Sequence, residues 1–283
     1  GSRLRDTQCG LFATGKVLRR MNVPFTYLPN CRTRDPLFQK GLETFLSAAN
    51  VVKEFRRARI LQISVRPDDF WTMMCNEGEL LEKFGIQIFP VSVSDLVQRV
   101  EALSKENPAS VQETVRYIYA HAEVKIDAAA VHRLACLKVA MQKIAEENDC
   151  TAVAIQCWYS LQKTLGVMPC LANALLTEEG LPVACETDIH GAISSILLQA
   201  AGRGASPSFF VDWSVRHPTA ENGELLQHCG PWPLSLAKER PVVTRPFAFS
   251  ENCPGAVVAE CRGGEITLLR FDGDHGEYGL LLG

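Results

Sequence analysis

Residues 60–91 read ILQISVRPDDFWTMMCNEGELLEKFGIQIFPV: an apolar run, a helical pattern and a second apolar run. Ile60 to Val65 and Ile86 to Val91 have the length and the β-branched or aromatic content of strands. Phe70 to Phe84 between them has a helical pattern, with Asp69 as its start signal. A strand, a helix and a strand in this order predict two parallel strands joined by a crossover. Working outward, the alternation continues. Upstream, Val23 to Leu28 (VPFTYL) reads as a strand and Pro36 to Arg57 as a helix. Downstream, Val93 to Lys105, Ser110 to Ala122 and Ala128 to Asn148 read as helices, started by Ser92 or Ser94 and by Asp127, and Ala152 to Gln156 (AVAIQ) reads as a further strand. Repeated alternation of this kind predicts a parallel sheet covered by helices on both faces. Ligands of such sheets bind beyond the carboxyl ends of the strands. The segments of interest are therefore Arg66 to Asp69, Ser92 to Ser94 and Cys157 to Tyr159.

After about residue 205 the texture changes. Ser208 to Trp213, Glu224 to His228, Ala256 to Cys261, Glu265 to Arg270 and Glu277 to Leu282 are short strand candidates separated by Gly, Pro and Asn. Gly263-Gly264 between two of them reads as a hairpin turn, and Gly202-Arg203-Gly204 as a helix exit. The expected fold class is α/β, a Rossmann-like parallel sheet with flanking helices followed by a partial, mainly antiparallel β domain. The expected division is 1–180 for the α/β part and 181–283 for the start of the second domain.

Composition narrows the function. The 283 residues are 47% hydrophobic and 22% charged, with 29 Lys+Arg against 32 Asp+Glu, values of an ordinary globular protein. Without a large basic surface, nucleic acid is excluded as a partner. The eleven cysteines are too dilute for a disulfide scaffold and contain no CxxC. Reduced thiols in a cytoplasmic protein are expected. No apolar run is long enough to span a bilayer, so no membrane association is expected. The chain opens Gly1-Ser2-Arg3 and closes on Tyr278-Gly-Leu-Leu-Leu-Gly283, which reads as a strand cut off within its sheet, so a fragment is expected.

Walker A, dinucleotide-binding, zincin and nucleophile-elbow motifs are absent. What remains is a polar concentration in an apolar setting, Leu181-Pro-Val-Ala-Cys185-Glu186-Thr187-Asp188-Ile189-His190-Gly191. Pro182 to Cys185 reads as a buried strand, and Asp188 as the N-cap of the helix that follows. Glu186 falls at the strand's carboxyl end, where a carboxylate must be paired, metal-bound or solvated. Phe209-Phe-Val-Asp212-Trp213 puts a second acid at the end of a very apolar strand, one helix later. If those strands are neighbours in a β-helix-β unit, both carboxylates emerge at one edge of the sheet, a pattern that suits a hard divalent cation such as Mg²⁺ or Mn²⁺. Caps or salt bridges for both acids are the competing explanation. A third polar cluster, Gln227-His228-Cys229-Gly230, ends the next strand candidate. Trp158, after AVAIQ, offers an aromatic wall of the kind that packs on a sugar.

These residues carry a resemblance. Gln156-Cys-Trp-Tyr159, Leu165-Gly-Val-Met-Pro-Cys170, Glu179 to Ala192 and His228-Cys-Gly230 resemble the fucose-isomerase-related branch of the L-fucose isomerase/L-arabinose isomerase superfamily, with Phe84 to Val91 as a weaker upstream match. The resemblance implies aldose–ketose isomerisation through an enediol, with Mn²⁺ held by a glutamate, an aspartate and a histidine. It maps Glu186 and Asp212 onto the first two ligands, which would also be the catalytic groups. It implies that Gln156, Trp158, His228, Cys229 and Gly230 contact a monosaccharide, and gives Asp188 a supporting role behind the ligands. The third ligand, a late histidine, is expected beyond residue 283; His275 does not match it. The resemblance further implies a homo-oligomer, trimer or hexamer, with sites between subunits, where Arg66 and Pro67 would approach a neighbour's sugar, and an N-terminal domain before this chain. A sugar-binding or regulatory relative that catalyses nothing is the alternative.

Overall fold

The computed structural model describes residues 7–246 and 253–283. Helices α1 (Thr7–Arg20) and α2 (Pro36–Arg56) lead into strand β1 (Arg59–Ile63), helix α3 (Glu77–Phe84) and strand β2 (Gln87–Val91). Helices α4 (Val93–Glu106) and α5 (Ala109–His121), strand β3 (Glu123–Val124), helix α6 (Ala128–Glu147) and strand β4 (Ala152–Ile155) follow. Helices α7 (Ser160–Leu165) and α8 (Cys170–Glu178) precede strand β5 (Val183–Ala184) and helix α9 (Ile189–Ala201). The remaining strands are β6 (Asp212–Arg216), β7 (Glu224–Gln227), β8 (Val242–Thr244), β9 (Ala256–Val258), β10 (Leu269–Asp274) and β11 (Glu277–Leu282).

The central sheet has the order β2-β1-β4-β5 and every pairing in it is parallel. Chain order reverses at β1, which has β2 on one side and β4 on the other, and such a switch point opens a crevice at the carboxyl ends of its strands. Alternation along the strands separates two cores. Leu61, Ile63, Val153, Ile155 and Val183 face one of them with α4, α5, α6 and α8. Ile60, Ala152, Ala154 and Ala184 face the other, with α9 and Phe271. Thus β5 and α9, beyond residue 180, continue the same layered sheet. The parallel sheet with helices on both faces is as expected, and small strand pairs follow it: β6–β7, β8–β9 and β10–β11 are antiparallel, and β3 pairs β8 in parallel.

Several local expectations are corrected. Residues 23–28 form no strand. The helix expected over 70–84 is confined to α3, because Asn76 accepts from the Glu79 N–H at 3.1 Å and caps it there, while Gly85, left-handed at φ 75°, ends it. The strand expected over 208–213 begins only at Asp212, and the one over 265–270 is shifted to β10. The hairpin turn is at His275-Gly276, both at positive φ, rather than at Gly263-Gly264. After α9 the left-handed exit falls on Arg203 and Gly204, not on Gly202. The apolar segment at residues 278–282 is paired along its length with β10. No helix among the described residues is long and apolar enough to cross a membrane.

Candidate active site

Three strand tips converge at the switch point. Ser64 after β1 donates its N–H to Val91 O at 2.9 Å, and Gln156 after β4 donates to Ile63 O at 3.0 Å. After β5, Thr187 donates its N–H to Ile155 O at 3.1 Å and its hydroxyl to Val65 O at 3.2 Å. Each tip carries a non-glycine residue in the left-handed region: Ser64, Tyr159, and the consecutive Glu186 and Thr187 at φ 54° and 58°. Such residues cost roughly 1–3 kcal/mol each and persist where the surroundings over-determine them. Here the two bonds of Thr187 fix the turn, and Glu186 is held against the tip of β4. Its Oε1 accepts from Trp158 Nε1 at 3.2 Å and from Cys157 Sγ at 3.4 Å. The carboxylate is buried, and among the described residues its ion-pair partner is an imidazole, His228.

That imidazole comes from the β6–β7 hairpin. Asp212 pairs with Gln227, so the first residue of β6 lies beside His228, which follows the last residue of β7. His228 Nε2 is 3.6 Å from Glu186 Oε2 and 3.9 Å from Asp212 Oδ2. Its Nδ1 accepts the Gly230 N–H at 2.8 Å, so neutral His228 carries its proton on Nε2, toward the two carboxylates. Burial disfavours the imidazolium, but the hydrogen bond and charge of Glu186, with Asp212, outweigh it and raise the His228 pKa. Burial also raises Asp212; His228 opposes that shift and the neighbouring Glu186 adds to it. The two acids of the sequence therefore flank one imidazole, His228, without reaching each other, and not through the expected β-helix-β unit. Asp212 opens an antiparallel hairpin because its apolar lead-in, residues 208–211, is irregular.

Around this trio lie groups that the sequence did and did not single out. Trp158 packs edge-on against Phe70 with ring centroids 5.3 Å apart. Gln156 is buried and its Oε1 finds no partner among the described residues. Asp188 caps α9, accepting the Gly191 N–H on Oδ1 at 2.8 Å, and pairs with Arg270 through Oδ2. Arg66 donates to Pro67 O and Asp68 O within its own loop, and Ser92 caps α4. His275 is exposed in the β10–β11 turn and pairs with Asp274, away from this site. Missed in the sequence were Asn173, fully buried with its Nδ2 3.6 Å from Cys185 Sγ and its Oδ1 unpartnered among the described residues, and the gathering of Cys157, Cys170 and Cys185 near Cys229. A hydrogen bond from Cys170 lowers Cys229 to about 7, although burial opposes it. Burial raises Cys157, while Cys185 is raised chiefly by its hydrogen bond with Cys157. Small apolar-looking residues inside buried segments give no signal for such a cluster.

Residues 1–56 match a family described as fucose/sulfoquinovose isomerase, N-terminal domain. The whole chain aligns with a sulfoquinovose isomerase of Alkalicoccus urumqiensis, 28% identical over 289 residues and 63% of the relative's length. It aligns likewise with one of Priestia aryabhattai, 24% identical over 284 residues and 62% of that length. A third, from a Clostridium species (strain MSTE9), is 24% identical and matches 84% of this chain and 53% of its own. The chain thus spans about three fifths of the length of the first two relatives. The resemblance to the fucose-isomerase-related branch is borne out.

Proposed function

We propose that the protein is a metal-dependent aldose–ketose isomerase whose substrate is a hexose of the sulfoquinovose or fucose kind. The observation that carries this reading is that His228 Nε2, on the β6–β7 hairpin, lies 3.6 Å from Glu186 at the tip of β5 and 3.9 Å from Asp212, in a chain similar throughout to sulfoquinovose isomerases. The donor types suit a hard divalent cation, Mn²⁺ for preference: two carboxylates flank one imidazole, the buried Glu186 on one side and the exposed Asp212 on the other, and side-chain rotation would bring Asp212 to the shared ion. Glu186 and Asp212 would hold it, and when bound it would polarise the sugar's carbonyl and hydroxyl oxygens.

The chain's own groups supply the rest. A carboxylate of the pair takes the proton from C2 and returns it to C1 through the enediol; at Asp212 partial desolvation and the neighbouring Glu186 charge raise the affinity for a proton, although its side chain is largely exposed in this structure. His228 Nε2–H, oriented by the Gly230 N–H, donates toward the reacting oxygens. The unpartnered Gln156 Oε1 accepts from a sugar hydroxyl, and Trp158 covers the apolar face of the ring. Asp188, Cys229 and Gly230 shape the site from behind. A homo-oligomer, trimer or hexamer, is part of this reading, supported by Trp213, Val215 and Leu225, large apolar residues exposed on the hairpin that carries Asp212. A cytoplasmic location is supported by eleven cysteines that are all free.

The test is isomerisation of sulfoquinovose, L-fucose and L-arabinose, followed by NMR with and without Mn²⁺, in a protein of the relatives' full length and in its Glu186→Gln variant. Mn²⁺-dependent turnover abolished by the substitution is expected. Full activity in the variant would sink the mechanism, and sugar binding without turnover would favour the non-catalytic relative.

A further inference from the structure

The two oxygens of Glu186 face different chemistry. Oε2 points to His228, and Oε1 to the thiol of Cys157 at 3.4 Å. Cys185, immediately before Glu186, adds a second sulfur, and the three ligand atoms all lie within 4.8 Å of one another in the buried interior. Tetrahedral zinc with bonds of about 2.0 Å to oxygen and 2.3 Å to sulfur places neighbouring O and S ligands roughly 3.5 Å apart. The Cys157–Glu186 separation already matches that figure, and closing the rest of the set takes about 1 Å of side-chain movement. Beside it, the fully buried Asn173 puts its amide on Cys185 Sγ and leaves Oδ1 without a partner among the described residues. An unsatisfied buried amide beside two thiols is costly unless a further group enters.

We propose that Cys157, Cys185 and Glu186 form a site for a thiophilic divalent cation of the Zn²⁺ or Cd²⁺ type. Thiolates select such ions over Mg²⁺ or Mn²⁺, which favour all-oxygen donors. Each cysteine that ligates gives its proton to solvent, and a water completes the tetrahedron beside Asn173. Because Glu186 belongs to both donor sets, a thiophilic ion excludes the hard cation. That competition, though not the site itself, rests on the reading of Glu186 and Asp212 as the hard-cation pair. It makes the site inhibitory: a trace of Zn²⁺ or Cd²⁺ would silence the Mn²⁺ enzyme, and it would compete with Trp158 for the Glu186 oxygen to which that ring donates.

The test titrates the 283-residue chain with Cd²⁺ under a phosphine reductant and follows the sulfur-to-cadmium charge-transfer absorption. One equivalent is expected to develop the band, Cys157→Ser and Cys185→Ser each to weaken binding at least about tenfold, and the double variant to lose it. Cys150→Ser, a buried thiol elsewhere, is expected to change nothing, and circular dichroism confirms that each variant is folded. If Cys157→Ser does not fold, Cys185→Ala carries the same test. In parallel, in a protein of the relatives' full length, which would carry the late histidine, electron paramagnetic resonance reads free Mn²⁺: the double variant is expected to keep its Mn²⁺, and Cd²⁺ to expel it from the unsubstituted protein. A full band in the folded double variant, or no band at stoichiometric Cd²⁺, overturns the site. Absence of Mn²⁺ uptake by every form counts against the isomerase reading instead, because the cadmium band judges this site whatever Mn²⁺ does.

Discussion

Replacing Asp188 separates two contributions that the structure assigns to its two oxygens. Oδ1 accepts the Gly191 N–H at 2.8 Å as the N-cap of α9, and Oδ2 meets the Arg270 guanidinium of β10. The Asp188 side chain is 4% exposed and that of Arg270 28%, so the pair is largely out of water. A hydrogen bond between charged groups contributes about 1.5–3 kcal/mol, and a cap about 1 kcal/mol. Asn is as good a cap as Asp but cannot pair with Arg270. Asp188→Asn should therefore cost about 2 kcal/mol and Asp188→Ala about 3 kcal/mol. For a chain of this size these are falls in Tm of roughly 4–8 °C and 6–12 °C. Arg270→Met should cost at least as much as Asp188→Asn, because it leaves the Asp188 charge buried with its remaining partner an N–H. In the double variant Asp188→Asn/Arg270→Met the losses should fall well short of additive, with a coupling of about 1.5–3 kcal/mol. Thermal melts followed by far-ultraviolet circular dichroism read the four variants beside the unsubstituted chain. Asp188→Asn melting within about 1 °C of the unsubstituted chain would refute the ion-pair assignment, and equal melting of the Asn and Ala variants would refute the cap.

Gly230→Ala should lower stability by about 1–3 kcal/mol and disturb the site, because the new Cβ would collide with Cys185 Sγ and lie 2.8 Å from His228 Nδ1; an unchanged Tm would show that the loop gives way freely. Cys229, held down to about 7 by Cys170, should be alkylated by iodoacetamide with a half-maximal rate near pH 7, since lowering a thiol pKa brings the reactive thiolate into the neutral range. Removing the donor in Cys170→Ala should move that midpoint upward, and a midpoint near 9 in the unsubstituted chain would contradict the contact. Cys75, pushed up to about 12 chiefly by burial, should stay unmodified at pH 8 in the same mass-spectrometric digest, where its thiolate fraction is roughly one in ten thousand; modification on the time scale of Cys229 would show that the burial is wrong. Trp158→Phe should keep the aromatic wall but lose the 3.2 Å bond to Glu186, lowering turnover by about tenfold or more if that bond orients the carboxylate; unaltered turnover would make Trp158 a wall only.

Periodicity carried the helices and the central strands because each is decided by its own residues. The amphipathic runs beginning at Pro36, Val93 and Ala128 begin as helices at those residues, and the strand residues of β1 and β4 face two cores as alternation requires. Residues 23–28 show where it fails. VPFTYL has strand composition, yet a strand exists only if another edge is free to pair with it, and that edge is not a local property. Residues 70–76 fail for the opposite reason: the local cap that forms is Asn76, which accepts the Glu79 N–H, and the segment before it closes only one short 3₁₀ turn, Trp71–Met73.

The two acids were legible for a reason that does not depend on the wrong topology drawn through them. A carboxylate directly after a buried apolar run cannot follow that run inward, whether the run is a strand or, as at residues 208–211, an irregular segment. It must stop at an edge, and in this sheet the edge beside the switch point receives the tips of β1, β4 and β5 together with the open end of the β6–β7 hairpin. Glu186 and Asp212 had few other places to go. Cys157, Cys185 and Asn173 obey no such constraint, since a thiol or an amide inside an apolar run is an ordinary core residue until a partner is known. Their partnership is created by register: Val153 pairs Val183 and Ala154 pairs Ala184, which sets the tip carrying Cys157 against the tip carrying Cys185, and α8 delivers Asn173 from above. A slip of one residue in that pairing would turn the β5 side chains to the opposite face and separate the two sulfurs. The acids are thus a property of the sequence and the thiols a property of the sheet, which is why one set could be named in advance and the other only once the strands were paired.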